Sequence, residues 1–268
     1  MTAVFVVARG VFKESVRDRI PYNLVFFAVL LMASSFLLAQ ITAGQDVKII
    51  KDLGLASASL IGVLIAVFIG ISLVTREVER RSIYSLLSKP VTRSQFILGK
   101  YVGLTLTLAA NLAVMALAFY AVLAYLEWFT PASVGAGWEA PATDPRMLKA
   151  FALIGVELML ITAVALFFST FSSPFLSAAL TLAVYVIGHF SSDLKNLHTI
   201  IDSPTLALVA RGLYYAMPNL SVLDVKAAVV HAQAVSLQEM LIGAASGGLY
   251  IGLLLLGSVI VFSRRDFK

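Results

Sequence analysis

Residues 75–100 read TREVERRSIYSLLSKPVTRSQFILGK, a charged, proline-broken segment set between two long and nearly uncharged apolar runs, 53–75 and 100–126. A chain this apolar has two reasons to interrupt itself. The segment is either an ordinary loop between membrane crossings or a surface shaped for another protein to grip. From Arg76 to Ser88 the residues fit a short amphipathic helix, with Val78, Ile83, Leu86 and Leu87 on one side. Glu77, Arg80, Arg81 and Ser85 stay on the polar side. Lys89-Pro90 ends it, because the residue before a proline avoids the helical region. Thr92 then stands where a side-chain oxygen caps the next helix, which runs through FILGKY into the following apolar run. A short helix, a sharp turn and a re-entry make a rigid element able to receive force, where a disordered loop would transmit little.

The rest of the chain sets the solvent. It has 268 residues, 60% of them hydrophobic, and a mean hydropathy of +0.93, more apolar surface than a soluble core of this length needs. The fold class expected is therefore an all-α integral membrane protein, with the lipid bilayer as its first partner. The absence of cysteine excludes disulfides, thiolate metal sites and cysteine nucleophiles. A net charge of +5 would suit a nucleic-acid binder, but excess Lys and Arg is ordinary on the cytoplasmic side of a membrane protein, so no nucleic-acid partner is expected. The first apolar run begins near Asn23, behind a charged stretch, and reads as an anchor that stays rather than a cleaved signal.

A crossing helix needs about 20 mostly apolar residues. Six runs qualify: 23–43, 53–75, 100–126, 148–171, 174–191 and 240–263, the fifth being short and opened by Ser173-Pro174. A further stretch from Leu197, LHTIIDSPTLALVARGLYYAM, contains His198, Asp202, Pro204 and Arg211 and would be costly to bury in lipid. It belongs to an extracytoplasmic segment, 192–239. With six crossings both termini share one side, and that side holds thirteen of the 20 Lys and Arg residues. The positive-inside rule then makes both termini and the segment 76–99 cytoplasmic. Residues 1–21 read as an amphipathic elbow helix lying in the cytoplasmic interface and ended by Pro21. Arg9, Lys13 and Arg17 recur every four residues, with Phe5, Phe12 and Val16 on another face. A plain positive flank would explain the topology but not that spacing.

Small residues recur at every fourth position of the second run, at Gly54, Ala58, Gly62, Ala66 and Gly70. The last run carries Gly243-x-x-x-Gly247 and Gly248-x-x-x-Gly252. Such stripes let helices approach closely, within one bundle or between two copies. Glu157 is the formally charged residue deep inside a run, where a charge costs about 2.5–3.5 kcal/mol on insertion scales. It reads either as a substrate- or proton-handling carboxylate on a translocation path, or as a protonated side chain hydrogen-bonded to a hydroxyl such as Thr162 or Ser169. No second intramembrane acid or base is offered as its partner.

Motifs for chemistry are missing. Gly99-Lys100 is followed by Tyr101 and has Ser94 where a phosphate-binding loop needs its first glycine, so the chain is not expected to bind ATP itself. His189, His198 and His231 show no ligand spacing and no catalytic serine motif occurs, so neither a metal site nor a catalytic residue is assigned.

REVERRSIYSLLSKPVTRSQFILGK resembles the cytoplasmic segment of ABC-2-type transporter permeases, in which an acidic residue precedes a Ser or Thr, a Leu-Leu pair, P-x-[ST]-R and Gly-Lys. Here those places hold Glu77 and Glu79, Ser82, Leu86-Leu87, Pro90, Thr92-Arg93 and Gly99-Lys100. ARGVFKESVRDR is similar to the family's N-terminal elbow and FSRRDFK to its C-terminal tail. The resemblance implies one membrane half of an exporter-like ABC transporter of the inner (cytoplasmic) membrane. It pairs with a second permease copy, identical or closely related, and with separate subunits that hold ATP and Mg. It further implies a coupling helix seated in the ATPase, with Tyr84, Leu86 and Leu87 as apolar contacts and Glu77, Glu79, Arg80 and Arg81 as polar ones. Lys89, Pro90 and Arg93 complete the segment. Residues 52–74 are also similar to the subgroup that serves maturation of the copper enzyme nitrous oxide reductase, and the outer segment is placed to touch a periplasmic partner. Two other classes stay open: an ion-driven secondary transporter, which needs coupled ionisable groups at mid-membrane, and a membrane scaffold whose loop only recruits a protein.

Overall fold

Long apolar runs free of interior proline satisfy their backbone hydrogen bonds within the segment, as lipid requires, and they do so here as helices. The computed structural model describes residues 3–39, 46–79, 92–135, 137–191, 208, 211–212, 214–215 and 217–264, leaving aside the side chains of 36, 38–39, 46, 72–79 and 132. Arg80, Arg81, Tyr84, Leu86, Leu87, Lys89 and Pro90 of the charged segment lie outside the described residues, and Glu77 and Glu79 are described as backbone alone.

Among the described residues the regular structure is helical. The elements are α1 (Ala3–Arg17), α2 (Arg19–Ala39), α3 (Asp46–Glu79), α4 (Arg93–Phe129) and α5 (Ala132–Gly135), then α6 (Met147–Ser169), α7 (Pro174–His189), α8 (Lys226–Val230) and α9 (Leu237–Arg264). Among the described residues, four stretches are long and apolar enough to cross a membrane: Val47–Ile71 of α3, and α4, α6 and α9. Arg19–Ser35 of α2 and the whole of α7 are apolar but shorter.

Helix starts follow local chemistry. At α4, Thr92 Oγ1 accepts from Gln95 N at 3.3 Å while Thr92 N donates to Gln95 Oε1 at 3.1 Å, a reciprocal capping box. At α7, Ser173 caps and Pro174 follows in the first turn. The expected N-terminal helix over 1–21 is corrected. It ends at Arg17, and α2 begins two residues later, Ile20 N donating to Asp18 Oδ1 at 3.2 Å. Pro21 therefore does not stop a helix; it sits in the first turn of one, where its missing N–H costs nothing. The second run also starts earlier than expected, at Asp46 rather than 53. Lys48 and Lys51 look too charged to lie in it, yet they reach outward, Lys48 to Glu139 Oε1 at 2.7 Å and Lys51 to Pro141 O at 2.8 Å.

Close approaches give each helix its direction. A β-carbon on Gly62 would lie 2.7 Å from Leu158 Cδ1, and one on Gly70 3.1 Å from Ala165 Cβ, so α3 and α6 run side by side in the same sense. One on Gly54 would overlap the Phe119 ring near the other end of α4, which runs against them. Ala58 and Ala66 of the same stripe are buried. In α9, Gly243 packs on Leu223 and Gly247 on Val156, whereas Gly248 and Gly252 face open space. The central helices α3 and α6 are buried over most of their length, and α4 and α9 flank them with broad exposed apolar faces. Two ends result. One gathers α1, the start of α4 and the end of α9; the other gathers the start of α3, the end of α4 and residues 130–135, 137–146 and 217–236. Exposed Tyr125 and Trp128 at the far end suit an aromatic belt at a membrane–water interface.

Candidate functional site

At the basic end, the first turns of α4 are held from two sides. On one side α1 crosses them so closely that a β-carbon on Gly103 would lie 2.7 Å from Ala8 O, and one on Gly99 2.6 Å from Val7 Cβ. Ala8, Val11 and Ser15 of α1 are buried there, while Phe5 and Val16 stay exposed beside the basic residues Arg9, Lys13 and Arg17. On the other side stands the end of α9. Arg93 Nη1 donates to Ser263 O and to Phe262 O, the latter at 3.4 Å, two of the carbonyls that a helix leaves unpaired at its C-terminus. Phe96 stacks on Phe262 with ring centroids 5.8 Å apart, and the buried Lys100 places Nζ 4.7 Å from the Phe96 centroid. Ile97, Leu166 and Phe262 form a small core of their own below the main one.

At the far end a short helix creates the second feature. By the helical rise, the 16 residues of α7 span roughly 24 Å and the 23 of α6 roughly 35 Å. Starting from the same end, α7 stops near the depth of Glu157. Residues 217–230 occupy the space above it: Leu220, fully buried, donates its N–H to Gly188 O at 3.0 Å. This brings polar groups of four elements together. Glu157 is 1% exposed and accepts from Ser59 Oγ of α3 at 3.4 Å. His189 Nε2, at the end of α7, lies 3.6 Å from Glu157 Oε1 and 3.8 Å from Asp224 Oδ2. Lys226 Nζ reaches Asp224 Oδ1 at 3.2 Å and donates to Ser59 Oγ at 3.4 Å. His189 Nδ1 sits 3.3 Å from Tyr185 O, a carbonyl that can only accept, so Nδ1 donates and Nε2 is the nitrogen turned toward both carboxylates.

Two expectations for Glu157 are thereby corrected. It has ionisable partners, which the sequence did not reveal because His189 ends a neighbouring span and Asp224 and Lys226 belong to the outer segment. Thr162 and Ser169 are not its hydroxyl partners; they bond back to Leu158 O and Leu166 O at 2.7 Å each, and Ser59 takes that place. The cluster can balance charge at the foot of the outer segment and tie it to α3, α6 and α7. Among the described residues no group of three or more His, Asp or Glu is placed to hold a metal ion.

Between α4 and α6 the outer surface carries an apolar groove of about 350 Å³, with Leu108, Leu112, Phe151 and Gly155 among its walls. Its walls hold no charged side chain.

No curated protein matches the chain significantly. The family model described as ABC-2 family transporter protein matches residues 5–266, from the first turn of α1 to beyond the end of α9. A match over nearly the whole length, on a chain whose described residues form helices, four of them apolar and of crossing length, makes this protein a member of the ABC-2 family of transporter membrane proteins.

Proposed function

We propose that the chain is the permease subunit of an ATP-driven exporter, coupled through residues 76–99 to a separate subunit that binds and hydrolyses ATP. The observation that carries this reading is the mounting of that segment. On one side α3 continues as helix to Glu79, well past the apolar stretch that ends at Ile71. On the other, α4 starts at a closed capping box on Thr92. A partner gripping residues 80–91 pulls on two helices directly, one of them central to the bundle. Glu77, Glu79, Arg80, Arg81, Tyr84, Leu86, Leu87, Lys89 and Pro90 are the contacts proposed for it.

In the same reading α2 and α7 join the four longer helices as crossings, α7 being completed by the outer segment. Both termini then lie in the cytoplasm of a cell whose inner membrane holds the chain. α1 rests in the cytoplasmic interface with its exposed Phe5 and Val16 toward lipid and Arg9, Lys13 and Arg17 toward headgroups. A second copy covers part of the apolar surface left open on α4 and α9, where Gly248 and Gly252 leave room for a close helix. Glu157 and its partners line the outer part of the path.

The test is gentle purification of the tagged chain from its native membrane, followed by the same with Leu86→Asp. The expected result is an ATP-binding subunit in equal number with the parent chain and its loss from the variant. A parent chain that purifies alone from every mild detergent, or a variant with unchanged association, sinks the reading.

A further inference from the structure

Arg93 belongs to the segment that the proposed function assigns to the ATPase, and its guanidinium reaches the end of α9. It lies in the first turn of α4 and donates to Phe262 O and Ser263 O, carbonyls of the last turn of α9, 169 and 170 positions away. Three further observations make this a mechanical link rather than a surface contact. Phe96, one turn on, stacks with Phe262 in a small core that also takes Ile97 and Leu166. The capping box at Thr92 makes the start of α4 a fixed unit, so displacement of the preceding segment moves Arg93 and Phe96 together. And α9 is, of the four helices of crossing length among the described residues, the one least buried against its own bundle.

We propose that Arg93 is the positioning residue that clamps α4 to the end of α9, so that a pull on the cytoplasmic segment tilts the last helix. This rests on the reading of residues 76–99 as the ATPase-coupling segment. The segment then has two parts with different roles. Residues before Thr92 meet the ATPase, and Arg93 passes the movement on inside the permease. A guanidinium suits that role because its donors lie in a fixed fork and it stays charged, favourable at the negative end of a helix.

The absence of cysteine makes the test clean, since introduced thiols are the sole labelling sites in the chain. Leu106→Cys on α4 and Leu253→Cys on α9, both on exposed faces, carry spin labels in the complete permease–ATPase complex in lipid nanodiscs. Distances are read without nucleotide and with ATP and vanadate. The expected parent result is a nucleotide-dependent shift on the order of 2–5 Å, the scale of helix movements in switching proteins. Arg93→Gln should keep the ATPase subunit in equal number and lose the shift, and Arg93→Lys should restore part of it. Loss of the subunit from Arg93→Gln makes Arg93 a docking contact and overturns the clamp. A shift unchanged in Arg93→Gln, or absent from the parent complex, overturns it as well. Should Arg93→Gln fail to fold, Phe262→Ala loosens the same clamp from the α9 side, far from the docking segment in sequence. It is expected to keep the subunit and lose the shift, and a retained shift decides against the clamp. If the parent chain brings no ATPase at all, the coupling reading itself falls and takes the clamp with it.

Discussion

The two ends of the bundle are held by different physics. At the basic end, α4 is pinned by shape and backbone: glycines that admit α1, a capping box, a guanidinium on helix carbonyls and a stacked aromatic pair. At the far end, the outer segment is pinned by charge. Asp224 and Lys226 meet His189 and Ser59, which in turn meet the buried Glu157, while Arg146 and Lys149 donate to Ala232 O and Val235 O at 2.9 and 2.8 Å. Contacts of shape are lost when volume changes. Contacts of charge are lost when one member of a pair is removed, and they can be regained by removing the other. The end that carries the moving segment is thus stiff, and the end over the proposed exit is held by bonds that can exchange partners.

That difference can be broken most sharply at Lys226. Lys226 pairs with Asp224 and donates to Ser59 beside Glu157, and removing one partner of a buried charged set typically costs about 3–5 kcal/mol. Lys226→Met should therefore lower unfolding stability by about 3 kcal/mol, read from the fluorescence of Trp128 and Trp138 in bicelles. Adding Asp224→Asn should recover most of the loss, since the carboxylate left bare is then gone. A double variant no more stable than Lys226→Met would mean that packing, not charge, holds the outer segment.

A smaller loss is expected at the basic end from Gly103→Leu, because Ala8 O is backbone and cannot swing aside. Overpacking of this kind costs about 1–3 kcal/mol. Gly10 of α1 has nothing within 4 Å of an added β-carbon, so Gly10→Ala should be neutral or stabilising by up to about 1 kcal/mol. If both variants melt alike, α1 does not clasp α4. Thr92→Ala removes one half of the capping box and should cost about 1 kcal/mol, visible as faster amide exchange at residues 93–96.

How far the sequence can be read tracks the same contrast. The start of α4 is legible because Thr92, Gln95 and Gly99 lie within one short stretch, and a cap or a proline acts on its own neighbours. The bundle's small-residue stripe is legible because Gly54 to Gly70 repeat along one helix. The meeting of Ser59, Glu157, His189 and Lys226 is not, since those residues are separated by 98, 32 and 37 positions and converge only because α7 is short. Arg93 is visible as part of a motif, but its partners at the other end of the chain are not. The start of α3 is hidden for a related reason: Lys48 and Lys51 look like a boundary until the outer loop that receives them is in place.

Lys48 and Glu139 provide the weakest test and the one that bounds the far end's dependence on charge. The Lys48 hydrogen bond, and then its charge, hold the Glu139 carboxyl below the usual carboxylate range. A depressed value in the folded state means that the pair favours folding above the ordinary carboxylate pKa. The contribution fades as the pH falls through that range toward the lower folded value, where Glu139 takes up its proton. But Glu139 is exposed, and an exposed pair gives up most of its attraction to water and salt. Glu139→Gln should leave the midpoint of thermal unfolding unchanged at about pH 7 in roughly 0.15 M salt and should not alter the acid limb of the stability profile. A clear drop on this substitution would show that the outer loop is held by its exposed charges as firmly as by the buried set around Glu157. The far end would then be one continuous ionic network rather than a buried cluster with a solvated rim.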